Sequence, residues 1–100
     1  MVDRFFETLD LVCQRPALYL GTTSLSVLYG WILGWEFAAG PGAIFDHGEF
    51  SEFVKTQLDY FEATLGWHRL ILESCEFDEG AAFQKFVEFY KEFKAQAEES

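Results

Sequence analysis

The twenty residues from Pro16 to Trp35 include no Asp, Glu, Lys or Arg. A chain that is charged elsewhere must bury such a run or hand it to lipid, so this segment limits the possible folds more than any other. It opens with Arg15-Pro16-Ala17-Leu18-Tyr19-Leu20-Gly21. Pro16 disfavours α geometry at Arg15 and offers no N–H, so a helix arriving from upstream stops there. We read Leu18 to Leu20 as an extended connector that ends at Gly21. Thr22, Thr23 and Ser24 are candidate N-caps for a helix over about residues 24–39. Its apolar residues, Leu25, Val27, Leu28, Trp31, Ile32, Leu33, Trp35 and Phe37, surround the axis. A helix apolar on all sides is expected at the centre of its domain. Gly30 and Gly34 should let a neighbouring helix approach closely, and Glu36 is the only charge on that helix. Pro16, Gly21, Thr22, Thr23 and Ser24 break up the first half of the run. The strongly apolar part, Leu25–Trp35, falls short of the roughly 20 residues that cross a bilayer. A core helix is therefore expected, with no membrane span.

The remaining chain reads as helices around that one. Val2, Phe5, Phe6, Leu9, Val12 and Cys13 share a face over residues 2–14. Gly40-Pro41-Gly42 breaks the chain, and Ile44 and Phe45 in the linker are expected to fold back onto the core. From Glu49 to Leu65, Phe50, Phe53, Val54, Leu58, Phe61 and Leu65 fall within an arc of roughly 120°, opposite Glu49, Glu52, Lys55, Asp59 and Glu62. A short helix over 67–75 turns Trp67, Leu70, Ile71 and Cys75 inward. Asp78 should cap a last helix over 79–97, with Lys85, Glu88, Lys91 and Glu92 spaced for i,i+3 and i,i+4 pairs on its outer side. No segment alternates with period two. The expected fold is all-α: residues 1–100 form a single compact domain, a bundle of about five helices around an apolar central one.

Half the residues are hydrophobic and 19% aromatic, twelve of them Phe, which excludes a disordered chain. Seventeen acids against seven bases leave a net charge of −10. That balance argues against direct binding to nucleic acid or anionic lipid and makes a basic protein the natural partner. The N-terminal residues, amphipathic and acidic from the start, do not read as a signal peptide, so a cytoplasmic location is expected. Cys13 and Cys75 lack metal or redox spacing and fall on apolar stripes, which reads as reduced core thiols.

Thirteen of the acids lie in residues 46–100, with Glu73, Glu76, Asp78 and Glu79 crowded into seven positions. A negative face of this kind can steer and dock a cationic partner, although acids early in a helix also have a local explanation. The candidate partner-binding residues are Glu49, Glu52, Asp59 and Glu62 on one helix face, with Glu73, Glu76 and Asp78. Asp46-His47-Gly48-Glu49 and His68 do not make a convergent ligand set, so no metal or other cofactor is expected. Cys75 and His68 could touch across two helical turns, but a nucleophile also needs an orienting group and an oxyanion hole, and we assign no catalytic residues.

The Arg15–Gly21 element resembles the Arg-Pro-Gly-Met-Tyr-Ile-Gly segment of gyrase-type ATPases. Here the next helix has no Asn, Glu36 lies late in it, and there is no Gly-rich lid, so ATP binding is not implied. A second resemblance covers nearly the whole chain. Arg15-Pro16-x-Leu18-Tyr19-Leu20-Gly21, Ser24-Leu25-x-x-Leu28, Phe50-x-x-Phe53-Val54, Gly66-Trp67 and Asp78-Glu79-x-Ala81-Ala82-Phe83 with Phe86 together resemble small bacterial proteins. Some of these are similar to immunity proteins encoded beside polymorphic or contact-dependent toxins. Position 17 is Ala where the pattern has Gly. The resemblance implies a protein that binds and neutralises a cognate toxin, such as a basic nuclease domain. In that reading Arg15, Pro16, Tyr19 and Gly21 belong to the frame, with Arg15 pairing a carboxylate and Tyr19 anchoring the connector. Other classes compatible with the sequence are a homodimeric helical interaction protein, a nucleic-acid mimic, and a domain built around a cavity near Glu36.

Overall fold

Pro16 ends one helix and begins another. In the computed structural model, which describes residues 4–40, 45–60 and 65–99, α1 (Phe5–Gln14) stops at Arg15 and α2 (Pro16–Leu20) starts at once. The expected extended connector is thus a single helical turn. The proline ring, which blocks α geometry at Arg15 (φ −137°, ψ 65°), presets φ for the first position of the next helix. Gly21 closes α2 in the left-handed region at φ 79°.

Four further helices follow: α3 (Leu25–Ala39), α4 (His47–Leu58), α5 (Trp67–Ser74) and α6 (Glu79–Glu99). The described residues contain six helices and no strand, an all-α fold. The sixth is α2. Ser24 caps α3 by accepting from the Val27 amide at 3.3 Å, and Asp78 caps α6 by accepting from the Ala81 amide at 2.9 Å. Asp46 does the same for Glu49 at 2.9 Å, so α4 begins at His47, two residues earlier than the periodicity indicated. It also ends earlier, at Asp59 (φ 62°) rather than Leu65; Phe61 and Glu62 lie outside the described residues, as does Ile44.

The core draws on every helix except α2. Phe5, Leu9 and Val12 of α1 pack with Leu25, Leu28 and Ile32 of α3, and with Phe50, Val54, Trp67, Leu70, Ile71, Phe83 and Phe86. Phe45 folds back into it, as expected. Aromatic pairs knit these elements: Phe5 stacks on Trp31 at 5.7 Å, and Trp67 meets Phe50 edge-on at 5.4 Å. α4 packs on α5, and α6 packs on both α3 and α5.

Two expectations for α3 are overturned. It is not buried all round: Val27 and Leu33 are 42% exposed and Phe37 is 90% exposed. Nor does a neighbouring helix use Gly30 and Gly34, because a Cβ built at either would meet no described atom within 4 Å. Composition reported the hydrophobicity of this helix, but α1, α5 and α6 leave the side bearing Val27, Leu33 and Phe37 exposed. The frame residues differ too. Arg15 is exposed and makes no ion pair among the described residues, and Tyr19 lies 47% exposed on the surface instead of anchoring α2. Within α2 the anchoring is done by the backbone, where the Arg15 carbonyl accepts from Leu18 and Tyr19.

Candidate functional site: an acid-rimmed groove between α4 and α6

Residues 48–53 of α4 cross the C-terminal half of α6 and leave an open groove of about 750 Å³. Its walls are Gly48, Glu49, Glu52 and Phe53 on one side, Phe93, Gln96 and Ala97 on the other. Phe53 and Phe93, ring centroids 5.5 Å apart, are half-buried and form the apolar part, and Phe93 meets the buried Phe50 edge-on at 5.2 Å. Helical spacing sets Glu49 and Glu52 one turn apart on the same flank. Glu52 takes Lys55 as an ion-pair partner at 2.9 Å while remaining mostly exposed.

The remaining sequence-derived acids lie elsewhere. Asp59 is the C-cap of α4, roughly 10 Å farther along the helix axis than Glu52. Glu62 is outside the described residues. Glu73 meets Arg69 at 3.7 Å, Glu76 is exposed in the α5–α6 turn at φ 54°, and Asp78 is committed to capping α6. From Glu79 to Phe93 the helix rises roughly 21 Å, about two and a half Debye lengths at physiological salt. The two acidic groups therefore act as separate surfaces, and among the described candidate acids Glu49 and Glu52 are the pair that borders the groove.

Two polar clusters fix the frame beneath these surfaces. Glu79 accepts from the Ser24 hydroxyl (3.0 Å) and the Ser26 amide (2.8 Å) through Oε1, and from the Ser26 hydroxyl (2.7 Å) through Oε2. Burial pushes the Glu79 carboxyl up, but the hydrogen bonds from Ser26 and Ser24 outweigh it and leave the group below its ordinary value. Since the Ser26 proton goes to Glu79, its oxygen accepts from His68 Nε2 at 2.9 Å. Burial holds His68 below its usual value, consistent with a neutral ring stacked on Tyr29 at 4.4 Å. The polarity is opposite to the one in which a histidine takes a proton from serine.

In the second cluster the Trp67 indole donates to His47 Nδ1 at 3.0 Å, so the proton of the neutral imidazole lies on Nε2, donated to Glu36 Oε1 at 2.8 Å. Glu36 Oε2 accepts from the Phe45 amide at 3.3 Å. Glu36 is thus tied to the chain after the linker. His47 is structural at both ring nitrogens.

The contact suggested between Cys75 and His68 does not form: His68 turns to Ser26, and the Cys75 sulfur lies 3.7 Å from the Ser74 hydroxyl. Both cysteines are half-buried and free. Burial, with Asp10 adding to it, pushes the Cys13 thiol up to about 12, which removes its nucleophilic form near neutrality. No group of three or more His, Cys, Asp or Glu among the described residues could hold a metal ion. No described helix is long and apolar enough to cross a membrane.

Fold and site together describe a small helical protein with an acid-flanked apolar groove on its surface. None of the family models, curated proteins or solved structures compared with the chain matches it.

Proposed function

We propose that this chain is a binding protein of the immunity type, which docks a basic polypeptide in the α4–α6 groove and blocks its activity. The observation that supports the reading is the placement of Glu49 and Glu52 beside Phe53 and Phe93. Phe53 and Phe93 would receive an apolar side chain, and the two carboxylates would pair with Lys or Arg on either side of it. Apolar anchors with charged surroundings are the usual division of labour at such interfaces. The net charge of −10 would add long-range steering. The resemblance of the Arg15–Gly21 element and its companions to toxin-immunity proteins supplies the toxin, the bacterial setting and the cytoplasmic location in this proposal. Binding rather than catalysis is the proposed mode, because Ser26, His47 and His68 are all engaged in holding helices together.

The test is capture from the native host at moderate and high salt, followed by association kinetics with the recovered polypeptide. A stoichiometric basic protein is expected, binding more slowly to Glu49→Lys and Glu52→Lys and dissociating faster from Phe93→Ala. Unchanged kinetics in all three variants would reject the groove as the docking site.

A further inference from the structure

We infer that a cleft between α1 and α6 is a binding site for a small organic monocarboxylate, held by the Tyr90 hydroxyl and the Lys91 ammonium. Asp10 and Cys13 of α1 face Val87, Tyr90, Lys91 and Lys94 of α6 across a space of about 280 Å³. That is just below the roughly 300–1,000 Å³ typical of small-molecule pockets, so the ligand is compact. Tyr90 is 3% exposed and its hydroxyl is shut off from water, yet the hydroxyl has no hydrogen-bond partner among the described residues. Buried hydroxyls are nearly always paired, because an unpaired one forfeits its bond to water. The exception points to a missing acceptor. Burial, with Asp10 and Cys13 adding to it, pushes the phenol above its ordinary value, so the group stays protonated and acts as a donor. Asp10 acts on the hydroxyl from nearby but falls short of hydrogen-bond geometry; both its oxygens are turned to Lys94 at 3.2 Å.

Charge selects the ligand. Lys94 is neutralised by Asp10, whereas Lys91 makes no ion pair among the described residues; Glu88, one turn away on α6, pairs with Lys85 at 3.7 Å. The lining therefore carries one uncompensated positive charge, in a chain of net charge −10. Against the dominant effect of burial, the Lys91 ammonium acts to lower the Cys13 thiol, so it stands close to the cleft. A carboxylate satisfies both groups at once, accepting a charge-assisted bond from Lys91 and a second bond from Tyr90. A cation would be repelled by Lys91. A phosphate, with a charge of about −1.5 to −2 at neutral pH, would crowd a second negative charge against Asp10. Val87 and the Tyr90 ring offer a surface to the ligand's apolar body. The Lys94 side chain is 39% exposed and its ammonium lies 5.3 Å from the Tyr90 ring centroid, so rotation of this long side chain admits the ligand to the hydroxyl. The cleft is independent of the groove: its α6 residues project roughly 120° around the helix from Phe93, Gln96 and Ala97.

Nuclear magnetic resonance titration of the isotope-labelled chain with benzoate, butyrate, benzamide and inorganic phosphate, each up to about 20 mM, tests this directly. One or both carboxylates should shift the amides of Cys13, Val87 and Lys91 saturably, in the millimolar range. Benzamide, which lacks the charge, should bind about tenfold more weakly, as should the carboxylates to Lys91→Gln and to Tyr90→Phe. Tyr90→Phe should match or exceed the wild type in stability, because the hydroxyl it removes has no partner to lose. Glu52→Lys, which alters the groove, should leave carboxylate binding in place, so the two readings fail separately. No saturable shift with either carboxylate would overturn the proposal, as would equal binding of benzamide or equal competition by phosphate. A marked loss of stability in Tyr90→Phe would overturn it too, by showing that the hydroxyl serves a contact within the chain.

Discussion

Ser26 and Glu79, 53 residues apart in sequence, are joined by two hydrogen bonds of 2.8 and 2.7 Å, one from the Ser26 amide and one from its hydroxyl. One carboxylate thereby sits at the N-termini of two helices: its own, α6, and α3. Both helix dipoles favour negative charge at that point, and the orphan amide of Ser26 is satisfied. Hydrogen bonds to a charged group contribute roughly 1.5–3 kcal/mol each to stability, less where solvent reaches them. Glu79→Ala should therefore destabilise the protein by about 2 kcal/mol in urea denaturation. Glu79→Gln, which keeps one acceptor, should lose less. Equal stability of wild type and Glu79→Ala would mean that the α3–α6 junction is held by apolar packing alone.

The same cluster sets an acid sensitivity. His68 is held below its ordinary 6.5, so the unfolded chain takes up a proton there before the folded protein does. Its contribution is fully present above about 6.5 and declines as pH falls toward the folded value. Glu79 is held below its ordinary 4.5, so its contribution is present above that pH and is lost as pH falls through its folded value. Urea midpoints should drop in two stages, the first between neutrality and mildly acid pH. His68→Gln should remove that first stage and leave the second; persistence of both would rule out His68 as its source.

Cys13 has the opposite linkage. With its thiol raised from 9.0 to about 12, its contribution is complete below about pH 9 and is lost as pH rises toward the folded value. In a Cys75→Ser background, disulfide-exchange labelling of Cys13 at pH 8 should run at least tenfold slower in the native protein than in urea. Comparable rates would show that the surroundings of Cys13 open freely in the native protein.

Gly34→Ala tests whether the outer face of α3 is open within the chain. No described atom lies within 4 Å of the added methyl group, so the substitution should stabilise the monomer by roughly 0.5–1 kcal/mol through helix propensity. Higher thermal stability is the expected result, read by calorimetry. A loss of monomer stability would mean that Gly34 serves a contact within the chain.

Trp67→Phe should retain most of the packing against Phe50 and Phe86 but leave His47 Nδ1 without its indole donor. A half-buried acceptor left unpaired costs roughly 1–3 kcal/mol. Denaturation followed by circular dichroism should show a loss in that range, and a neutral result would indicate that solvent replaces the indole.

What was legible in the sequence was local. Apolar residues at helical spacing, Pro16, and the short polar side chains of Ser24 and Asp78 identify helix type and helix ends, because each acts within four residues of itself. Burial of Phe45 was legible too, since an aromatic residue in a short linker has few other places to go. The second helical turn at Pro16–Leu20 was missed because proline's power to stop a helix is more conspicuous than its fitness to start one. The early end of α4 was missed because periodicity continues past Asp59 while the backbone turns left-handed there.

Tertiary structure alone decided which face of each helix has a neighbour and which distant side chains meet. Large apolar residues lie on both the inner arc of α3, with Leu28 and Ile32, and the outer arc, with Leu33 and Phe37. The positions of α1, α5 and α6 separate them. Glu49 and Glu52 became more than surface acids when α6 brought Phe93 alongside, and Glu79 became a shared cap when the chain returned to Ser26. Periodicity records how a helix partitions between water and apolar contact. It carries no information on the long-range pairings that supply the contact, and in this protein those pairings make the groove, the junction and the open face of α3.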